Sequence, residues 1–488
     1  VGRLFGLDPA PACGCRVLEL GCGDGGNALS LAQSLPGAQV LGVDASPGAI
    51  ERGRRLGRAA GLANVELRCA MFEDLGEELG KFDYIVAHGV YSWVPPQARG
   101  ALLDCAKRCL APEGVAFVSY NAYPGSYLRD MARDMLRYHV HGVSDPHVRL
   151  ERAQELMRTI VEIEQPSPFA RALREQMERM LGYSDALLFH DDLAEVSTPF
   201  YFHEFVEHAG ARGLQFLSEA DLFESQMRDV PDSAGRLMAG LPEDAVVREQ
   251  YMDFFKNRMF RQTLLCHEEA PVSRTLDETV VGRLWASSRV SLEVADLDGE
   301  EDRRASGGEQ ALPEGSALAE GPGANTFVTP EGFSMTTSEP LVTAAMHALA
   351  AAWPEAVAYR TLLVAAREAA GPQMSAESVS ARLSSVLLQA HLARIVTLQG
   401  GPPPLTGEVG ECPVASPLAR AQCAVGLPAL SSLLHGSVRL ESELEARVLT
   451  LLDGTREVAQ LAAQLDAEQD QVSDSLERLA SVGLLLAV

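Results

Sequence analysis

Between residues 16 and 120, short apolar runs alternate with stretches whose apolar residues recur three and four positions apart. The runs at 16–20 (RVLEL), 39–43, 65–70, 82–88 and 115–120 predict five strands. Helical spacing at 28–34, 47–60 and 102–110 predicts helices between them. Strands of nearly continuous apolar character joined by helices are the pattern of a parallel sheet covered on both faces. The order then breaks. Residues 127–138, 149–164 and 170–181 carry amphipathic helical spacing with no strand between them. A helix at 202–210 that stops at a glycine follows, then strands at 214–217 and 260–267. Helix, strand, strand is what a doubly wound sheet needs to finish itself. The pattern therefore predicts one α/β core over about 1–270, with a helical insertion at 126–190.

Beyond the core, 296–324 is rich in Gly, Ala and acid and poor in large apolar residues, which predicts a linker or exposed loop. Helices are predicted at 340–353, 359–369 and 375–393, with a short strand at 394–398. After a Pro/Gly segment at 400–417, three more are predicted at 441–452, 457–465 and 468–482. Each trio reads as a small winged-helix-type unit.

Composition narrows the function classes. A chain of 488 residues with 47% hydrophobic and 22% charged content buries sizeable cores. No apolar run reaches the length of a membrane span, so no membrane insertion is expected. Residue 1 is Val and no basic-then-apolar leader follows it, so the sequence is read as a fragment without a signal peptide. The nine cysteines form no C-x-x-C pair; they fit buried thiols in a reducing cytoplasm, with no metal site expected. The net charge of −26 is unevenly spread: the first 141 residues are almost neutral. From 336 onward the basic residues are arginines alone, outnumbered by acids. Such a surface excludes nucleic acid as a partner, whose binding rests on neutralising phosphates. It suits a basic protein or peptide.

The strongest chemical signal is Glu19-Leu-Gly21-Cys22-Gly23-Asp-Gly25-Gly26-Asn27, directly after a strand and before a helix. Glycines there allow a tight turn and bring a ligand close to backbone at a helix N-terminus. Gly21, Gly23 and Gly26 also satisfy the dinucleotide pattern, so the loop alone leaves two cofactors open. Asp44, at the end of the second strand, would accept ribose hydroxyls in either case. Three features select S-adenosylmethionine: the acid Glu19 before the glycines, the turn Leu110-Ala-Pro-Glu-Gly114 into the fifth strand, and the helix–strand–strand ending. Further cofactor contacts are expected from Asn27, Ala45, Met71, Phe72 and His88.

Ligands of open α/β sheets sit outside the carboxyl ends of the strands. After strand four stands His88-Gly-Val-Tyr91-Ser-Trp93-Val-Pro95, and after strand five Tyr120-Asn121-Ala-Tyr123-Pro-Gly125. Tyr91, Trp93, Tyr120 and Tyr123 are expected to wall a slot for an amine, whose cationic form favours π faces. Asn121 and the Tyr91 or Tyr123 hydroxyl would orient it. Amino-methylation of DNA bases uses a polar-Pro-Pro-aromatic loop after strand four; Val94-Pro95-Pro96-Gln97 lacks both ends of it.

These runs carry a resemblance. L-E-L-G-C at 18–22, F-D-Y-I-V-A-H-G-V-Y-S-W-V-P at 82–95 and S-Y-N-A-Y-P-G at 119–125 resemble bacterial class I methyltransferases with a regulatory domain. F-Y-F-H-E-F at 200–205, F-R-Q-T-L-L-C-H at 260–267 and L-D-G-T-R at 452–456 do so as well. The best-understood members are the rickettsial protein-lysine methyltransferases. The resemblance implies a Rossmann-like core, S-adenosylmethionine, and a lysine side chain in a protein as acceptor. It divides the chain into a cofactor-binding core (1–125), a helical lid (126–190) and the completion of the sheet with the regulatory region (191–270). An acidic linker (271–335) and two winged-helix-like units (336–400 and 401–488) follow. Two departures stand out: Met71 where the family keeps an acid, with Glu73 or Asp74 nearby, and Ser126 where it keeps a Trp. Methylation of a peptide or secondary metabolite, and a cofactor-binding scaffold without turnover, stay open beside the lysine reading.

Overall fold

The computed structural model describes residues 1–163, 167–227, 230–293 and 324–487. The alternating half runs β1 (Arg16–Leu20), α1 (Gly26–Ser34), β2 (Gln39–Asp44), α2 (Pro47–Ala59), β3 (Val65–Cys69), β4 (Phe82–Ala87), α3 (Pro96–Cys109) and β5 (Leu110–Asn121). Prolines at the first turns of α2 and α3 start those helices, where a missing N–H costs nothing. The insertion follows as α4 (Tyr127–His139), α5 (Pro146–Glu162), α6 (Pro168–Leu181) and a short α7 (Asp185–Leu187). It encloses a core of its own around Leu136, Met157, Met177 and Met180. The chain then returns through α8 (Phe202–Gly210), β6 (Leu214–Glu219), α9 (Asp232–Ala239), α10 (Ala245–Lys256) and β7 (Phe260–His267).

These strands form a seven-stranded sheet in the order β3-β2-β1-β4-β5-β7-β6. The first five are parallel, and β7 runs antiparallel to both neighbours. Leu20, Asp44, Cys69, Ala87 and Asn121 therefore end at one edge of the sheet. Because β7 is reversed, its first residue Phe260 pairs with Asn121, the last of β5. The start of β7 thus joins the loops at that edge.

The stretch 271–335, expected as an acidic linker, is corrected on both its flanks. It holds β8 (Trp285–Ser287), β9 (Ser291–Leu292), β10 (Asn325–Val328) and β11 (Ser334–Thr337). Val281, Ala286, Val290 and Phe327 are buried in the core of the next unit. The acid that coloured the whole stretch is concentrated in 294–323, which lies outside the described residues. That unit continues with α11 (Pro340–Ala352), β12 (Val357–Ala358), α12 (Tyr359–Ala370), α13 (Ala376–Leu392) and β13 (Thr397–Gln399). β8 lies between β12 and β13, so the first flank of the expected linker supplies the middle strand of its sheet.

The last unit contains α14 (Pro417–Ala424), the hairpin β14 (Leu430–Ser431) and β15 (Ser437–Val438), α15 (Glu443–Leu451), α16 (Val458–Leu465) and α17 (Gln469–Ser481). It docks on the first half of the chain. Leu418 is buried with Ala28, Leu29 and Ala32 of α1. The Gln33 side-chain oxygen accepts hydrogen bonds from the Ser416 hydroxyl (3.0 Å) and the Leu418 N–H (2.8 Å). Among the described residues no helix is long and apolar enough to cross a membrane.

Candidate active site

The loop between β1 and α1 is folded back on β2. Gly21 and Cys22 both donate their N–H to the Val43 carbonyl, at 2.8 and 3.0 Å. Gly21 has φ +75°, and a Cβ there would lie 2.3 Å from Val90 Cγ2, so both backbone and space require glycine. Gly23 has φ +57° with open space where a Cβ would stand. Asp44 braces the loop from β2: one carboxylate oxygen accepts the Gly23 N–H at 2.9 Å and the other the Ser46 N–H at 2.8 Å.

Beneath the loop, Glu19 is buried and its Oε2 has no hydrogen-bond partner among the described residues. Burial pushes its carboxyl up to about 7, against the opposing pull of the Asn27 amide and the Ala28 N–H. An orphaned carboxyl oxygen under an open glycine turn fits S-adenosylmethionine, whose methionyl end brings an ammonium group and whose ribose brings hydroxyls. Cys22 turns inward instead: its side chain is buried against Gly42, and burial raises its thiol pKa. Only its backbone faces the loop. Ala45 and Met71 are exposed at the ends of β2 and β3, and Phe72 packs partly into the core below. Glu73 and Asp74 stand exposed beside Met71, so an acid is at hand next to the position the family pattern assigns to one.

A cavity of about 590 Å³ opens at the same sheet edge, lined by His88, Trp93, Asn121, Arg129, Asp191 and Phe260 among others. The residues singled out in the sequence divide here. His88, Trp93 and Asn121 meet in this cavity. Tyr123 lies on a neighbouring cleft, with its hydroxyl donating to Asp130 at 2.8 Å. Burial and that hydrogen bond raise its pKa.

Tyr91 and Tyr120, expected to wall the slot, do not reach it. Both are fully buried on the other side of the sheet, where Tyr120 stacks on Phe205 at 4.1 Å between centroids and Tyr91 stands edge-on to the same ring. Their hydroxyls are occupied by His208 and Thr263. For Tyr120 strand alternation is the cause: Ser119 and Asn121 face the cavity side of β5, so Tyr120 between them faces α8.

His88 is held by Ser119, whose hydroxyl lies 3.1 Å from Nδ1 and accepts the Gly89 N–H at 2.9 Å. Burial lowers the His88 pKa, which keeps the ring neutral at pH 7. The Asn121 N–H donates to Ser92 Oγ at 2.9 Å, leaving the side-chain amide to the cavity. Ser126 donates to the Met259 carbonyl at 3.1 Å. Arg129, on the first helix of the insertion, donates to Asp192 at 2.8 and 3.1 Å.

Met259 and Phe260 escaped the sequence reading, although an antiparallel last strand starting at 260 implies their position. Arg129 and Asp191 left no comparable signal, being 62 residues apart on different helical turns.

Comparison with known proteins agrees with this geometry. A methyltransferase domain model matches residues 17–114, a model described as "Predicted methyltransferase regulatory domain" matches 184–267, and the PKMT C-terminal winged helix domain matches 411–478. Uncharacterized protein RP028 of Rickettsia prowazekii is 38% identical over 44% of this chain and 88% of its own length. RP789 of the same organism is 34% identical over 57% of this chain, but the aligned part is only half of that relative. The structure of PKMT2 from Rickettsia typhi in complex with AdoHcy superposes with a TM-score of 0.83 at 26% identity, covering 100% of this chain and 96% of that one. The chain thus belongs to the class I S-adenosylmethionine-dependent methyltransferases whose catalytic domain is followed by a regulatory domain and a PKMT-type winged helix.

Proposed function

We propose that this protein transfers methyl groups from S-adenosylmethionine to lysine side chains of a protein substrate in the cytoplasm. The observation that carries the reading is the end-to-end likeness to Rickettsia typhi PKMT2, which extends through both C-terminal units rather than stopping at the catalytic domain. When bound, the cofactor supplies an electrophilic methyl group on a good leaving group, so catalysis consists mostly of positioning and exclusion of water.

The chain's own residues have separate tasks. Glu19, Asp44 and the backbone of Gly21, Gly23 and Gly25 hold the donor, while Asn27, Ala45, Met71 and Phe72 border it. Trp93 and Asn121 orient the amine in the cavity, and Tyr123 borders the way in. A lysine ammonium must lose its proton before it attacks. His88, neutral at pH 7 and facing the same cavity, is the group that takes it. Arg129, held against Asp191 and Asp192, closes the cavity from the insertion side.

The test is incubation of the protein with methyl-labelled donor and a bacterial lysate, followed by peptide mapping of the labelled products. Label on lysine side chains is expected, and it should fall at least about 100-fold in Asn121→Ala. Label confined to small molecules would overturn the protein acceptor. Cofactor binding without transfer to any substrate would replace the enzyme by a scaffold.

A further inference from the structure

Ser126 and Arg129 place one face of α4 on the acceptor cavity. The adjoining face of the same helix borders a second, wider cleft of about 860 Å³, lined by Tyr123, Tyr127, Asp130, Asp134, Arg137 and Leu156 among others. Its end nearest the cavity is aromatic and acidic. Tyr123 and Tyr127 stack at 4.1 Å with 20° between ring planes, and Tyr201 stands 5.5 Å from Tyr123. Tyr127 is 54% exposed, a large apolar and π surface left open to solvent. Asp130 sits beneath the stack through its bond to the Tyr123 hydroxyl, and Asp134 stands exposed one helical turn on.

Ring faces and carboxylates together attract a cation. The nearest built-in cation, Arg133, pairs with Asp130 at 3.8 Å, so Asp134 is the exposed carboxylate of the cleft. Arg133 is buried and donates to the Asp191 and Ala194 carbonyls, both at 3.1 Å, with its guanidinium over Trp93. Arg137 and His139 lie farther along the helix and line the same cleft.

The two openings lie on adjoining faces of one helix, whose full width with side chains is about 10–12 Å. An extended chain covers about 3.3–3.6 Å per residue, so about three residues bridge them. We propose that this cleft is a second acceptor subsite, which binds a lysine or arginine side chain about three residues from the methylated lysine. The proposal rests on the protein-lysine reading and deepens it. It commits the occupant to a basic segment of the acceptor protein, since the acidic, aromatic end is the one continuous with the acceptor cavity.

The experiment uses the full chain and synthetic peptides with one central lysine and an alanine background. A single Arg or Glu is walked from four residues before the lysine to four after it. Arg about three residues away, on one side only, is expected to lower KM at least tenfold relative to Ala while kcat changes little, and Glu there is expected to raise KM. Asp134→Asn and Tyr127→Ala should erase that preference and leave the cofactor Kd and the melting temperature unchanged. Lysine methylation that ignores the position of Arg would overturn the subsite and leave the proposed activity standing. No methylation of lysine in any peptide or in lysate proteins would overturn both. A preference that survives in Asp134→Asn and Tyr127→Ala would place the basic side chain elsewhere on the surface.

Discussion

At the residue scale, the glycine loop was legible because every feature in it is local. Gly21 and Gly23 adopt conformations that glycine favours, and Asp44 is reached by the regular end of a strand. The aromatic residues were harder to read because their chemistry is ambiguous: the same ring serves as pocket wall or core. Trp93 stayed on the cavity, while Tyr91 and Tyr120 joined Phe200 and Phe205 in a buried aromatic cluster. Burial also gives Glu19 a property that the sequence does not display. In the folded chain its carboxyl keeps the proton up to about pH 7, against a reference value of 4.5. The folded state therefore binds more protons across that window, and its stability falls as pH rises from 4.5 towards 7. The slope integrates to about 3 kcal/mol in total. Glu19→Gln removes it. Calorimetric melting of the cofactor-free protein should show the variant gaining on the natural chain between pH 5 and 8, with the gap widening upwards. Parallel curves would mean that the carboxylate is solvated or paired after all.

At the scale of elements, the period of the apolar pattern gave the sheet and most of its helices, because a doubly wound core repeats one strand–helix unit. It gave nothing for 218–259, where α9 and α10 form. Their burial is not a simple apolar stripe: the face of α10 towards the sheet carries Glu249 and Asp253, both buried. Those acids meet Arg261 of β7, which is 1% exposed and bonds Glu219 at 2.6 Å, Asp253 at 2.8 Å and Glu249 at 3.0 Å. Arg258 adds a second contact to Asp253 at 3.2 Å. The cluster holds the turn before β7, whose Arg258 and Met259 carbonyls accept the Gly125 and Ala122 N–H groups. A charged helix face finds its partners only in three dimensions, so no one-dimensional period exposes it. Arg261→Met leaves three buried carboxylates facing one another. The expected cost is about 3–5 kcal/mol, seen as a lower midpoint of urea unfolding at pH 7.5. Asp253, which burial pushes up to about 6, should recover part of that loss as the pH falls towards 5. A midpoint unchanged at pH 7.5 would show that Arg258 suffices to neutralise the cluster.

For the whole molecule, the sequence separated a nearly neutral catalytic part from an acidic remainder, but not how the two are joined. The joint is specific. Gln33, at the end of the helix that begins at the cofactor loop, caps the first turn of α14, and Leu418 is buried against that same helix. A side chain of one unit satisfying the backbone of another is invisible to any local pattern, since the residues are almost 400 positions apart. With the last unit held against the catalytic domain, its excess acid adds to the potential around the acceptor openings. A net charge of −26 draws basic partners from beyond contact distance and repels acidic ones. Salt separates this long-range contribution from contact chemistry, because the screening length shrinks from about 10 Å at 0.1 M to about 3 Å at 1 M. Raising the salt over that range should increase KM for a basic acceptor peptide at least about fivefold through slower association. If the glycine loop and the two carboxylates hold the cofactor as proposed, its Kd should stay within about twofold, because contact pairs are screened much less. Steady-state kinetics paired with calorimetry at matched salt reads both. If the two constants moved together, the surface charge would serve solubility alone, and recognition of the acceptor would lie entirely within the cavity and its neighbouring cleft.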